Sequence, residues 1–539
     1  MKSTMMVAEL SINDIFARAA RLFPQSEVVS LLPDKSLRRQ DYAQITVRAR
    51  ALAHALRALG VEKGDRVATL CWNHHAHLEC YFGIPLTGAV MHTLNLRLSP
   101  AEIGWIAGHA QDKVLVVDNV LLPLYRQVSQ HHGFRHVIVF PFGEAQLGEA
   151  QLGENVLDYE RLIAPHLGRD FTPVPHDEND PIALCYTSGT TGRPKGVAYS
   201  HRSTVLHSLV GALPENWGLK GSDKVFAVTP MFHANCWGVP YGALMCGASL
   251  VFPGQHLHAE DLLDLMVREQ PTLALGVPTI WLSLLQAMEA SPGRWSLPPG
   301  MRSLVGGAAV PESLIRAFAA KGVTIVQGWG MTETSPLAST SYIKPEFQNA
   351  GEDEIFRRKA LAGVPVTLVD LRIVGDAGEL PWDGKSVGEV QVRGPFVSGT
   401  YHEVEPDPDK HTADGWLRTG DVGSVDAAGY LRITDRTKDL IKSGGEWISS
   451  VDLENALMAH PAIAEAAVIA VPHEKWTERP VACVVFKKGH EATPEMLNRH
   501  LAARFARWQL PDRYEVLGAI PRTSTGKFWK LRLREMFPA

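Results

Sequence analysis

The sequence predicts an α/β protein in which a large N-terminal part of alternating helices and strands is followed by a small β unit and a small α+β domain. Three observations predict it. The chain has 539 residues, more than one hydrophobic core usually serves, and roughly 150 residues per domain gives two to four units. Apolar residues recur by turns at helix and strand spacing over most of the length, the pattern of layered α/β folds with largely parallel sheets. From Val366 that alternation gives way to short strands parted by glycines.

In chain order, Tyr42, Ile45, Ala49, Leu52, Leu56 and Leu59 repeat at helix spacing and stop at Gly60, a helix end signal. Val67–Leu70, Val114–Val117, Val137–Phe140, Ile182–Tyr186, Val225–Val228, Thr272–Leu275, Leu304-Val305 and Ile325-Val326 read as strands, with Leu262–Val267 as a helix between two of them. Leu368–Val374, Gly388–Gly394 and Tyr430–Thr434 form the small antiparallel unit. After Lys442 come helix Val451–Met458, strands Ala466–Ala470 and Val481–Phe486, helix Pro494–Phe505 and strand Tyr514–Leu517. The polar run at Asp435-Arg436 marks the boundary, giving a large domain 1–434, a linker 435–440 and a small domain 441–539. Gly143–Gly153 holds a tandem Gly-Glu-Ala-Gln-Leu repeat and reads as a surface-loop duplication.

Composition excludes several classes. Hydrophobic residues make up 45% and charged residues 21%, the balance of an ordinary soluble globular protein. The net charge of −5, with both signs interspersed, leaves no footprint for nucleic acid, so an anionic ligand must be held by local groups. The six cysteines show no metal-ligand spacing and sit in apolar runs, which fits reduced, buried thiols. The N-terminus carries no apolar signal region, and the stretch Tyr81–Leu94 is too broken to span a bilayer. A cytoplasmic protein without a transmembrane segment is the expectation.

Residues 187–196, Thr-Ser-Gly-Thr-Thr-Gly-Arg-Pro-Lys-Gly, constrain the chemistry most tightly. Small residues let backbone N–H groups approach a phosphate, while hydroxyls and a lysine satisfy its oxygens. The segment follows the strand Ile182–Tyr186. It is not a Walker loop, because Lys195 lies between Pro194 and Gly196 and opens no Gly-Lys-Ser/Thr helix.

Further motifs follow in order: Pro230–His233, Gly276–Thr279, Gly306-Gly307-Ala308, Gly328–Glu333, Thr419-Gly420-Asp421, Asp435–Lys438 with Lys442–Glu446, and Pro521–Lys527. With Tyr186–Gly196 they resemble the AMP-forming acyl-CoA synthetases of the adenylate-forming superfamily, which also holds luciferases and peptide-synthetase adenylation domains. The likeness runs from about Ser11 to Phe537 and is greatest to bacterial medium- and long-chain fatty-acid–CoA ligases. It implies a large domain of two α/β subdomains plus the β unit, a small mobile C-terminal domain, and a homodimer.

The activity implied is carboxylate plus ATP giving acyl-AMP and pyrophosphate, then thiolysis by CoA, with Mg²⁺ as cofactor. A medium- to long-chain fatty acid is the implied substrate; 3-methylthiopropionate, another short acid, or a non-CoA acceptor is the alternative. A carboxylate of pKa about 4 is already ionised near neutrality, so the first step needs charge neutralisation and no general base. By resemblance, Thr187, Ser188, Gly189, Thr190, Thr191, Gly192 and Lys195 cradle the β- and γ-phosphates, and Thr187 and Glu333 hold Mg²⁺. Thr332 contacts the α-phosphate. Gly307, Gln327, Gly328, Trp329 and Gly330 belong to the ATP/AMP site, with Trp329 replacing the family's commoner tyrosine as an aromatic face for adenine. Asp421 accepts from the ribose hydroxyls and Arg436 supports ribose or phosphates. Lys527 bridges carboxylate and ATP in the first step, while His233 positions the reacting groups. The acyl and CoA path is expected along Trp237, Gly306, Gly307 and Ala308, with Lys442, Gly444, Gly445, Glu446 and Trp447 facing it after rotation about Asp435.

Overall fold

The computed structural model describes residues 1, 3–143, 155–187, 193–405, 407–436, 439–443, 446–524 and 526–538. The repeat at 144–153 and the expected phosphate contacts Ser188, Gly189, Thr190, Thr191 and Gly192 lie outside the described residues. So do Gly444 and Gly445.

Among the described residues the strands form four sheets. One has the order Val156–Asp158, His136–Phe140, Asp112–Asp118, Arg66–Leu70, Val90–Thr93, Pro181–Tyr186, Gly196–Ser200, and is parallel except for its last pair. The second runs Val364–Pro365, Leu337–Thr340, Thr324–Gly330, Arg302–Gly306, Leu273–Gly276, Lys224–Ala227, Ser249–Phe252, Glu27–Leu31, Leu37–Asp41. These central strands are apolar on both faces because helices cover both, as parallel sheets require. The third is the antiparallel unit of Asp370–Gly375, Gly388–Arg393, Leu417–Val425 and Leu431–Arg436, edged by Gly378–Glu379. Two α/β layers plus a β unit thus make up the large domain.

The N-terminal segment departs from simple chain order. Glu27–Leu31 pairs in parallel with Ser249–Phe252 and so belongs to the second sheet. Helical periodicity correctly marks Tyr42–Ala58, which Asp41 and Gln44 open with a capping box.

The small domain packs helices Ser450–Met458 and Pro494–Leu501 on the hairpin Ile463–His473 and Thr477–Phe486. Both strands are longer than their apolar cores suggest, because backbone pairing continues through Pro472↔Glu478 and His473↔Thr477. The helix expected over Pro494–Phe505 stops at Leu501, and Phe505 packs back on the small core.

Asp435 does not stand between two structured units: it lies within strand Leu431–Arg436, opposite Val422, and is 1% exposed. Its Oδ2 accepts from Ser450 N–H at 2.8 Å, and Ser450 Oγ accepts from Lys530 Nζ at 2.5 Å. Lys530 Nζ also lies 2.7 Å from Glu454 Oε1, while Arg534 Nη2 donates to Asp439 Oδ1 at 2.5 Å. Burial pushes the Asp435 and Glu454 carboxyls above their ordinary range, against the opposing pull of the Lys530 ammonium.

Candidate active site

Strand Pro181–Tyr186 pairs antiparallel with Gly196–Ser200. Tyr186 pairs with Gly196, Thr187 N–H donates to Lys195 O at 2.9 Å, and Lys195 N–H donates to Thr187 Oγ1 at 3.1 Å. Both residues line a cavity of about 340 Å³. Its polar lining comprises Thr187, Arg193, Lys195, Thr332, Glu333, Tyr401, Lys410, Arg436 and Lys527, and its apolar lining Trp217, Trp237, Leu304, Gly306, Gly328, Pro336 and Leu337. His233 joins the lining, as do Gly307, Trp329 and Gly330.

Each polar side chain is oriented by a neighbour. Lys195 Nζ sits 3.2 Å from Asp407 Oδ2 and 4.9 Å from the centre of the Tyr401 ring. That contact with Lys195 holds the Asp407 carboxyl below its usual range. Tyr401 O–H donates to Glu333 Oε1 at 2.6 Å, and Tyr199 O–H to the Thr332 carbonyl at 2.8 Å. Trp329 Nε1–H donates to Asp421 Oδ2 at 2.9 Å, while Arg436 Nε lies 3.1 Å from Oδ1. The replacement of tyrosine by Trp329 therefore gives the acidic residue a second donor. Asp421 in turn raises the Arg436 guanidinium above its ordinary value, keeping it charged.

Glycine is required where strand ends crowd the cavity. A Cβ on Gly306 would stand 2.7 Å from Gly328 O, and one on Gly330 would stand 1.8 Å from Pro336 O. Gln327, Ala308 and Asp421 line an adjoining cleft of about 1000 Å³ between the domains, which shares Gly307, Trp329, Arg436 and Lys527 with the first cavity. Gln327 Oε1 accepts from Val310 N–H at 2.8 Å, so this residue shapes the wall through that turn.

Lys527 reaches the site on a loop docked against the large domain. Asn95 Nδ2 donates to Ser524 Oγ at 3.2 Å, Arg97 Nη1 to Ser524 O at 3.2 Å, and Thr279 Oγ1 to Gly526 O at 3.1 Å. Within the loop, Thr523 N–H donates to Lys527 O at 2.7 Å. Burial, reinforced by the charges of Lys527 and Arg97, lowers His233 to about 4. Its imidazole is neutral at physiological pH and can accept a proton or hydrogen bond.

After His233 the backbone makes one left-handed turn. Ala234, Asn235, Cys236 and Trp237 all have positive φ, from 43° to 56°. For non-glycine residues this costs about 1–2 kcal/mol each. Buried contacts hold the turn: Cys185 Sγ donates to Asn235 Oδ1 at 3.1 Å, and Cys236 Sγ donates to Thr229 O at 3.0 Å. The turn aims Trp237 across the cavity, its Cη2 3.6 Å from where a Cβ on Gly306 would stand.

Not every expected residue gathers here. Lys442, Glu446 and Trp447 line neither cavity. Lys442 Nζ lies over the Trp447 ring at 4.8 Å, and Trp447 is 49% exposed. Conversely Tyr401, Asp407, Tyr199 and Trp217 were not foreseen. They come from loops and strands whose local sequence carries no motif.

The chain matches the AMP-binding enzyme family over residues 16–402 and the AMP-binding enzyme C-terminal domain over 452–527. It belongs to this family, the adenylate-forming acyl-CoA synthetases. It is 48% identical to a long-chain-fatty-acid–CoA ligase of Thermus thermophilus, over 99% of this chain and 97% of that one. It is 42% identical to a 3-methylmercaptopropionyl-CoA ligase of Ruegeria lacuscaerulensis, over 100% and 99%. A medium-chain-fatty-acid–CoA ligase of Ectopseudomonas oleovorans is 41% identical over 100% and 98%. Among solved structures, the anthranilate CoA ligase AuaEII with anthranoyl-AMP superposes with a TM-score of 0.86 at 26% identity, covering 99% of each chain.

Proposed function

We propose that this acyl-CoA ligase activates a fatty acid of medium chain length. It forms acyl-AMP and pyrophosphate from the acid and ATP, then acyl-CoA and AMP from acyl-AMP and CoA. The observation that carries the reading is one cavity whose lining combines cationic and hydroxyl-bearing side chains with apolar ones, Lys527 and His233 among them.

In the first step the carboxylate oxygen attacks the α-phosphorus and the pyrophosphate oxygen leaves. Two anions must approach, so the work is electrostatic. Lys527 bridges the carboxylate and the nucleotide, Thr332 steadies the α-phosphate, and Thr187 with Lys195 holds the outgoing phosphates. Lys195 exchanges its contact with Asp407 for phosphate. The ribose binds at Asp421, and adenine lies along Gly307, Gly328, Trp329 and Gly330.

Thr187 and Glu333 both line the cavity and offer oxygen donors, the donor type a hard divalent cation takes, so Mg²⁺ fits them. When bound it would neutralise phosphate charge. In the second step the CoA thiol, of pKa about 8.5, attacks the acyl carbonyl and AMP departs. Rotation about Asp435 would exchange the Lys527 loop for Lys442, Glu446 and Trp447, with Gly444 and Gly445 as a side-chain-free wall. A cytoplasmic homodimer completes the reading.

The test is pyrophosphate release from ATP and octanoate without CoA, followed by AMP release that requires CoA. AMP release that proceeds equally without CoA would assign a different acceptor. 3-Methylthiopropionate is the second reading, favoured by the 42% identical relative and by a cavity lining that includes Trp217 and Trp237.

A further inference from the structure

We propose that Trp217, seated in a recess left by Gly211, is the floor of the acyl cavity and limits the substrates to short- and medium-chain monocarboxylic acids. The inference rests on reading the apolar lining of the cavity as the acyl site.

Trp217 lines the cavity with Trp237 and Leu304, yet is only 3% exposed. Its main chain is pinned on both sides. Trp217 N–H donates to Gly211 O at 3.0 Å, and its carbonyl accepts from Arg302 Nη1 at 2.7 Å. Next to it, Asn216 Nδ2 donates to Val210 O at 2.6 Å.

The ring is backed as firmly as its main chain. A Cβ on Gly211 would stand 2.5 Å from both Cε3 and Cζ3, so the indole edge rests directly on helix His201–Ala212. A Cβ on Gly242 would stand 3.6 Å from Cζ3, and the His207 ring meets the indole edge-on at 5.3 Å between centroids. The ring therefore has no room to retreat from an acyl chain that reaches it. Close-packed interiors resist such displacement.

Trp217 works by bulk alone. Its Nε1–H has no acceptor among the described residues, so replacing the ring forfeits no hydrogen bond there. The apolar part of the lining, Trp237, Leu304, Pro336 and Leu337, suits an uncharged acyl chain.

Two substitutions move the floor in opposite directions. Trp217→Leu removes the ring and deepens the cavity. Gly211→Ala places a methyl group where the ring edge lies and, because the main chain is pinned, drives the ring into the cavity. The experiment measures kcat/KM for CoA-dependent AMP release by the full chain with unbranched acids from propionate to palmitate. Wild type should use octanoate at least tenfold better than palmitate. Trp217→Leu should raise the palmitate-to-octanoate ratio about tenfold or more, the scale on which apolar pockets discriminate chain length. Gly211→Ala should lower the octanoate-to-butyrate ratio. The KM for ATP should stay constant in both, and melting temperatures identify a variant that has merely lost structure. Should Trp217→Leu not fold, Trp217→Phe should give a smaller shift in the same direction. A wild type that prefers palmitate, or variants that scale every acid alike, would overturn the floor while leaving the ligase reading intact. If no acid gives CoA-dependent AMP, the ligase reading fails and the floor falls with it.

Discussion

The loop around Lys527 and the hairpin from Lys442 to Trp447 belong to one small domain, yet they meet opposite surroundings. Lys527 is held at the cavity by Asn95, Arg97 and Thr279 acting on its loop. Trp447 stands half in solvent, with the Lys442 ammonium over its ring. A rigid domain cannot offer both faces to one cavity at once. If both serve the reaction, they serve different steps, and the orientation seen here is the one suited to adenylation.

The sharpest test of that contrast is Lys527→Ala. Adenylation should fall by roughly 10²–10³, the usual loss when one electrostatic stabiliser of a transition state is removed. Thiolysis of supplied acyl-AMP should survive, and equal loss in both half-reactions would break the division between the faces. Trp447→Ala is the mirror experiment. It should leave pyrophosphate release near wild type and slow thiolysis about tenfold, equivalent to about 1.4 kcal/mol; slower adenylation would place Trp447 in the first step. The smallest effect is on His233. With the Lys527 charge gone, its pKa should rise above about 4 yet stay below the ordinary histidine value, because burial is the larger cause. Imidazole titration by NMR reads this directly, and an unchanged value would separate the Lys527 charge from His233.

Much of this was legible in the sequence because the relevant residues lie in short, contiguous segments. Thr187 and Lys195 reach the cavity on one hairpin, and Trp329, Gly330, Thr332 and Glu333 on one strand end and turn. What was not legible depends on distant parts of the chain. Asp407 and Tyr401 orient Lys195 and Glu333 from a loop with no motif of its own. Polar composition suggested a linker at Asp435, whereas Asp435 is buried in a strand where it accepts from Ser450 N–H, and Lys530, far along the chain, donates to that same Ser450. Trp217 looks like an ordinary core residue until Gly211 and Arg302 are seen to fix it.

The placement of strand Glu27–Leu31 beside Ser249–Phe252 has a consequence for biosynthesis. The early strand emerges from the ribosome more than two hundred residues before its parallel neighbour. At about 5–20 residues per second it waits on the order of 10–45 s. During that interval only the hairpin with Leu37–Asp41 can pair with it, leaving one apolar edge exposed, the kind of edge that recruits other chains. The nascent chain is thus most vulnerable to aggregation before the Trp329–Glu333 segment and the Lys527 loop have been made, and faster completion of the Ser249–Phe252 strand should raise the yield of folded enzyme.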